Sequence, residues 1–228
     1  MRRLLSLALF GFVAISGLAQ SSTGAQRIDV NLERREGSAW KAVPPGFVFK
    51  NGDHLRFRLR TNFDGYLYVM TYGTSGQYSH LFPREETGRQ NRIVGGTEYM
   101  VPATEASFRV EGPPGFDTVY WVMSPLELDG SASRPAYVPL APPPPNPVPQ
   151  NIKPRCDDSF LRARGQCIDS SAGPRNIGPD EPLPENLSGI ARGKSRDLVI
   201  LNQAEGTSIS SPVRMDGPVI YKFRVAHE

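Results

Sequence analysis

The sequence predicts an all-β chain: an antiparallel β-sandwich, immunoglobulin-like or jelly-roll-like, with a long proline-rich, disulfide-containing insertion. Three observations lead there. Apolar residues recur at every second position through most of the chain, which is the period of a half-buried strand. The 22 glycines and 22 prolines, with 39% hydrophobic residues, suit many turns plus some irregular chain. No long amphipathic helix pattern precedes residue 155.

The first twenty residues, "MRRLLSLALFGFVAISGLAQ", combine two arginines, an apolar run from Leu4 to Leu18 and the small residues Gly17 and Ala19. That is the layout of a secretory signal peptide, residues 1–19. The run is too short for the ~20 residues that cross a bilayer, and no later stretch is as apolar, so no membrane span is expected after cleavage. No cysteine near the cleavage point offers a lipid anchor. The expected location is periplasmic or extracellular. Loss of Arg2 and Arg3 lowers the formal charge from +3 to +1, which argues against a nucleic-acid partner held by bulk charge. The 21 arginines against 5 lysines read as a base-composition bias.

From Arg27 the alternation is clear. "RIDVNLERR" places Ile28, Val30 and Leu32 on one side, and "HLRFRLR" sets Leu55, Phe57 and Leu59 against Arg56, Arg58 and Arg60. Between them stand a Pro-Pro-Gly bend, a short strand Phe47 to Phe49 and an Asn51-Gly52-Asp53 turn, together read as a hairpin. The turn Asn62-Phe63-Asp64-Gly65 then leads to a strand from Tyr66 to Tyr72 that is apolar on both faces. Such a strand sits inside a sheet covered on both sides, or beside an aromatic surface patch. Tyr78 to Phe82, Glu98 to Val101, Ser107 to Val110 and Thr118 to Met123 are further strands.

Composition changes at Leu126. A proline run follows, and from there to about Lys194 the chain is expected to be largely irregular, with one short helix in "CDDSFLRARGQC". Cys156 and Cys167 are an even pair eleven positions apart, read as one disulfide, since a lone pair with no histidine nearby cannot complete a zinc shell. Strand character returns at "RDLVIL" and in "PVIYKFRVAHE", where Val219, Tyr221, Phe223 and Val225 oppose Lys222 and Arg224. A lone hairpin could not bury its apolar face. Residues 26–129 and 195–228 are therefore expected to form one sandwich interrupted by the excursion 130–194; a linker leading to a separate small hairpin is the alternative.

The run "FVFKNGDHLRFRLRTNFDGYLYVMTYGTSGQYSHLFPR", followed by "VGGTEYMVP" and "FRVEGPPGFDTVYWVMS", resembles the bacterial domain-of-unknown-function family 4384. The order of short motifs carries the resemblance: Phe49 with Gly52-Asp53, Asp64-Gly65-Tyr66-Leu67-Tyr68, Leu81-Phe82-Pro83, Gly95-Gly96 before Tyr99 and Pro102, then Phe108, Gly112 to Gly115 and Ser124. It spans about residues 45–126, and "IYKFRVAH" is similar to the family's closing strand, within 219–227. The resemblance implies an exported or membrane-exposed β domain with no assigned activity, appended in some relatives to kinase or caspase-like domains. The proline and disulfide excursion departs from it.

"RIVGGTE" at 92–98 looks like the start of an activated trypsin-like protease. Such a fold needs a histidine, an aspartate and a late Gly-Asp-Ser-Gly-Gly segment downstream, and the sole histidine after Gly96 is His227. Gly95-Gly96 reads instead as a turn. "NFDG" fails as a calcium loop because the bidentate acid would fall at Thr71, so a β-turn is expected in which Asn62 and Asp64 bond local backbone. No catalytic constellation, metal site or cofactor is implied. Arg56, Arg58 and Arg60 form a row about 7 Å apart, either a reader of anionic groups or a solvated face paired with neighbouring acids. Tyr66 and Tyr68, within a group including Tyr72, Tyr78, Phe82, Tyr120 and Trp121, are either a sugar or peptide platform or core. The expected function is a non-catalytic envelope or extracellular interaction module with a protein partner. The alternative is a module binding an anionic envelope polymer or glycan through Arg56, Arg58, Arg60, Tyr66 and Tyr68.

Overall fold

A computed structural model describes residues 24–76, 78–83, 91–103, 106–128, 152–178, 181, 187, 198–204, 206–212 and 214–228. The expected signal peptide, the proline run and most of 179–197 lie outside the described residues.

The alternating segments form strands. β1 (Gln26–Glu36) turns at Gly37 into β2 (Ala39–Val43), and β3 (Val48–Phe49) follows the Pro-Pro-Gly bend. Next come β4 (His54–Thr61), β5 (Gly65–Tyr72), β6 (Tyr78–Phe82), β7 (Arg92–Ile93), β8 (Glu98–Val101), β9 (Phe108–Arg109) and β10 (Gly115–Ser124). Helix α1 (Ser159–Ala163) precedes β11 (Gly173–Asn176), β12 (Val199–Asn202), β13 (Thr207–Ser211) and β14 (Val219–His227).

Two sheets of seven described strands each result. The first runs β12-β13-β1-β4-β8, with β2 beside β1 and β9 beside β4; the second runs β11-β14-β10-β5-β6, with β3 beside β14 and β7 beside β5. The chain is thus a β-sandwich. One pairing departs from the antiparallel expectation: β3 lies parallel to β14, with Val48 opposite Ala226 and Phe49 opposite His227. The expected hairpin is also rearranged. β1 and β4 pair directly, Ile28 with Thr61 through Arg34 with Leu55. Phe47–Phe49 has crossed to the other sheet, because Pro44-Pro45 cannot continue the β1–β2 ladder.

Alternation sends one side of each strand into the space between the sheets. Ile28, Val30, Leu32, Leu55, Phe57 and Leu59 meet Leu67, Val69, Val119, Trp121, Tyr221 and Phe223 there. Phe57 is the hub: its ring stands edge-on to Trp121 at 5.2 Å and to Phe223 at 5.1 Å, tying β4 to β10 and β14. Edge-to-face pairs add about 0.5–1.5 kcal/mol each beyond their area burial.

β5 explains its own composition. It lies inside the second sheet between β10 and the β6 and β7 edge. Leu67 and Val69 face the sandwich core, while Met70, Tyr68 and Tyr72 join a second cluster on the outer face with Tyr120, Val122 and Ile220. Ile177 and Leu187, from the excursion, complete that cluster. Within the stretch expected to be irregular, β11 pairs with β14, and Phe47 bridges to Ile168. "GPRN" carries no strand signal because Pro174 cannot donate to a ladder, which an edge strand tolerates. The helix expected in the cysteine loop is α1, capped by Asp158, whose Oδ1 accepts from Leu161 N at 2.9 Å. The Cys156–Cys167 disulfide closes the loop around it.

Candidate functional site

The arginine row lies on the outer face of the first sheet, since Leu55, Phe57 and Leu59 of the same strand point inward. β1 brings Glu33 directly opposite Arg56. Glu33 is almost wholly buried, and its Oε2 accepts from Arg56 Nε at 2.6 Å. Its Oε1 stands 3.0 Å from Arg58 Nε, an ion-pair contact off the hydrogen-bond axis that leaves this N–H without an acceptor. Arg58 also reaches Glu98 of β8 at 3.8 Å. The Arg56 guanidinium lies 4.3 Å from the centroid of the Trp40 ring. Arg60 is exposed, in register with Asp29 on one side and Glu98 on the other. Two of the three cations are therefore engaged by acids on neighbouring strands.

Tyr66 and Tyr68 are on the outer face of the second sheet, across the sandwich from the arginines, so the two predicted halves of a ligand site are not brought together. Both are half-buried, and the Tyr68 hydroxyl accepts from Leu128 N at 3.0 Å. Of the wider aromatic group, Trp121 and Phe82 are core residues and Tyr120 packs in the outer cluster. Burial, with Glu181 and Tyr72 nearby, pushes the Tyr120 phenol up to about 12. The Tyr78 side chain lies outside the described residues.

The turn motifs clasp each other. Asp64 Oδ1 accepts from Gly95 N at 2.8 Å, and Gly96 N donates to Thr61 O at 2.7 Å. A Cβ on Gly95 would come within 3.0 Å of Phe63 N, and Gly96 has φ +82°, so the glycine pair is what lets one turn lie on the other. Asn62 also bonds backbone, but of a distant segment: its Oδ1 accepts from Arg27 N and its Nδ2 donates to Ala25 O.

One polar cluster was invisible in the sequence. His227, fully buried at the end of β14, has Nε2 at 3.2 Å from Thr74 Oγ1 and 3.3 Å from Asp117 Oδ1. A hydroxyl, an imidazole and a carboxylate thus meet, but both partners face the same ring nitrogen. In a nucleophilic relay the acid orients one nitrogen and the hydroxyl faces the other. Here Nδ1 is buried without a partner. Asp117 Oδ1 also accepts from Thr74 N at 2.7 Å, so the cluster acts as a clasp fixing the Gly73–Gly76 turn over the ends of β10 and β14. Among the described residues no group of three His, Cys, Asp or Glu side chains is placed to hold a metal ion, and no helix is long and apolar enough to cross a membrane.

The sheet edges differ in how they are protected. β2 carries Lys41, β8 carries Glu98 and is followed by Pro102, and β11 carries Pro174 and Arg175. β3, β7 and β9 are two residues long, and the β5–β6 ladder is broken by a register shift between Val69 and Met70. Charges, prolines, bulges and brevity are the ordinary ways of blunting an edge. β12, "VILN", has neither charge nor proline. Ile200 packs against the core, while Val199 and Leu201 on the other side are 46% and 58% exposed. Among the described residues β12 pairs only with β13, so its outer row of backbone groups has no strand against it.

Residues 48–127 match the model of a family described as Domain of unknown function (DUF4384). The match runs from β3 through β10, as the resemblance of the motifs implied. No curated protein and no solved structure matches the chain.

Proposed function

We propose that this chain is an exported, non-catalytic β-sandwich that engages a protein partner of the cell envelope or extracellular space by adding a strand to the open edge of its first sheet. The observation that carries this reading is β12, an edge strand presenting two exposed aliphatic side chains and no blunting residue. Backbone groups along such an edge supply affinity, and the alternate side chains Val199 and Leu201 supply selectivity. The fitting partner is an extended segment with aliphatic residues at every second position. Export is supported by the signal-like first nineteen residues and by the paired cysteines, a pairing that persists in oxidising compartments. The engagement of Arg56 and Arg58 by Glu33 favours this reading over an anionic polymer held by the arginine row.

The test is a pull-down from envelope extract at physiological salt, comparing the wild-type protein with a Val199→Lys/Leu201→Lys double variant. Both side chains are exposed, so the variant is expected to keep its fold and lose the partner. A partner retained equally by the folded double variant, or no specific partner at all, overturns the proposal.

A further inference from the structure

A cation with no acceptor among the described residues lies on the other face of the sandwich. Arg224 projects from β14 to the outer side of the second sheet, because Tyr221, Phe223 and Val225 point into the core. Its guanidinium lies 4.0 Å from the centroid of the Phe116 ring and makes no hydrogen bond or ion pair among the described residues. Arg175 of β11 is opposite Lys222, hence diagonal to Arg224 on the same face. Arg175 Nε and Nη2 are held by the carbonyls of Ser171 and Ser170, at 3.1 and 2.8 Å, which fixes the guanidinium beside its neighbour. Lys222 is matched by Glu181.

Two carboxylates nearby, Asp169 and Glu181, act on Arg224 through their charge, but neither bonds it; Glu181 is taken by Lys222. Both oxygens of Asp169 are engaged: Oδ2 accepts from Arg155 N, and Oδ1 from the amide and hydroxyl of Ser171. Two guanidinium groups therefore stand near each other, one on an aromatic face and one on backbone carbonyls, and neither is bonded to a carboxylate among the described residues. Thr118 and Tyr120 of β10 are in register with Arg224 and Lys222 and border this ground with hydroxyl groups. Burial, and then the charge of Arg175, lowers the pKa of Arg224 against the smaller opposing pull of Asp169 and Glu181, the response of a cation partly removed from water and placed beside a like charge.

We propose that Arg224 and Arg175 form an oxyanion-binding site on the outer face of the second sheet, bordered by Phe116 and Thr118. An oxyanion bridging the two guanidinium groups offsets the like charges and takes N–H donors of Arg224 that have no acceptor among the described residues. Planar guanidinium forks bind such groups through paired, charge-assisted hydrogen bonds. The site is independent of the β12 edge. Its ligand chemistry is that of a phosphate or a carboxylate, supplied by a free anion or by an acidic polymer.

Inorganic phosphate and a short oligogalacturonate are titrated separately into the ¹⁵N-labelled protein at low salt, following the arginine Nε–H resonances and the heat of binding. Saturable binding of either probe is expected to shift Arg224 and Arg175, and Arg224→Gln is expected to weaken it about tenfold or more, the effect of losing one charge-assisted contact. Phosphate alone binding identifies a free anion as the source; tighter binding of the oligosaccharide identifies a polymer. Arg175→Gln and Arg224→Lys guard against misfolding of the first variant, with the near-ultraviolet signal of buried Trp121 reporting the fold. Arg109→Gln, an exposed residue of β9 in the other sheet, controls for net charge. The proposal is overturned if neither probe saturates, or if Arg109→Gln weakens binding as much as Arg224→Gln.

Discussion

Replacing Glu33 by alanine removes the carboxylate that Arg56 and Arg58 share and tests whether the arginine row is a structural face or a free one. Taking one partner from a buried ion pair costs about 3–5 kcal/mol, whereas exposed pairs contribute about 0–1. The Glu33 side chain is 5% exposed and that of Arg56 17%, so this contact belongs toward the buried end; Arg58, at 35%, can rehydrate. The expected loss is therefore about 2–3 kcal/mol, a fall in Tm of roughly 5–10 °C for a domain of this size. Glu33→Gln, which keeps an acceptor for Arg56 Nε, should lose less, and Arg58→Ala under about 1 kcal/mol. Urea unfolding with an unchanged m-value is the assay. A Glu33→Ala variant within about 0.5 kcal/mol of wild type would refute the reasoning: the arginines would then be held by water rather than by Glu33, and the row would return as a candidate ligand surface.

Other outcomes follow from the same geometry. Phe57→Ala, which empties the hub between the sheets, should cost about 3–5 kcal/mol by denaturant unfolding; a loss below about 1 kcal/mol would mean the Phe57, Trp121 and Phe223 contacts do not hold the sheets together. Replacing Cys156 and Cys167 by serine reopens a loop of eleven-residue separation, at a chain-entropy cost of about 3 kcal/mol. Hydrogen exchange should quicken at Leu161 and Ser170 while β10 stays protected, and equal loosening of β10 would contradict a local staple. Asp157 is held below the ordinary aspartate range by the hydroxyl and amide of Ser170. Its contribution is present above the unfolded pKa and lost as pH falls through the lowered folded value, so its carboxyl carbon resonance should titrate late on acidification. Tyr120, with its phenol pushed up to about 12, contributes stability that is full below the unfolded value of 10 and lost between there and about 12; phenolate absorbance for this residue appearing near 10 in the folded protein would show the outer cluster to be open to water.

Parity along a strand was legible, and the placement of strands relative to one another was not. β1, β4 and β14 declare themselves because apolar residues fill every second position, and β5 and β10 by short apolar runs. β13, "TSISS", has one apolar residue facing the core, Ile209, and β11 has a proline in place of a donor, so neither carries a periodic signal. The same limit governs the surfaces. Three arginines on one face can be read from "HLRFRLR", but Glu33 is twenty-three positions from Arg56 and becomes its partner only through the β1–β4 register. Tyr66 and Tyr68 share a face by parity, yet nothing local says that their strand belongs to the opposite sheet. A free edge is a property of strand order, so "VILN" gives no sign of it. His227, Asp117 and Thr74 meet because three chain segments end at one corner, which no spacing rule encodes.

The segment matched by the family model is a frame that other parts of the chain complete. β4 pairs with β1 over seven residue positions and β10 with β14 over nine, and both partners lie outside residues 48–127. Without them Phe57 would lose Phe223, and β4 and β10 would each lose the neighbouring strand on one side. Both surfaces proposed for binding also draw on chain outside the match. The β12 edge does so entirely, and the oxyanion site takes Arg175 and Arg224 from outside while its borders, Phe116 and Thr118, come from β10. A function that belongs to the frame alone would have to use the arginine row, the Tyr66 and Tyr68 face or the Asp64–Gly95 clasp. In this chain most of those groups are already engaged: Arg56 and Arg58 by Glu33, Tyr68 by Leu128, and Asp64 by Gly95. Arg60 and Tyr66 stay unbonded among the described residues, but the edge and the guanidinium pair proposed for binding are on the added strands, and binding specificity is therefore expected to reside largely in the elements that complete the sandwich.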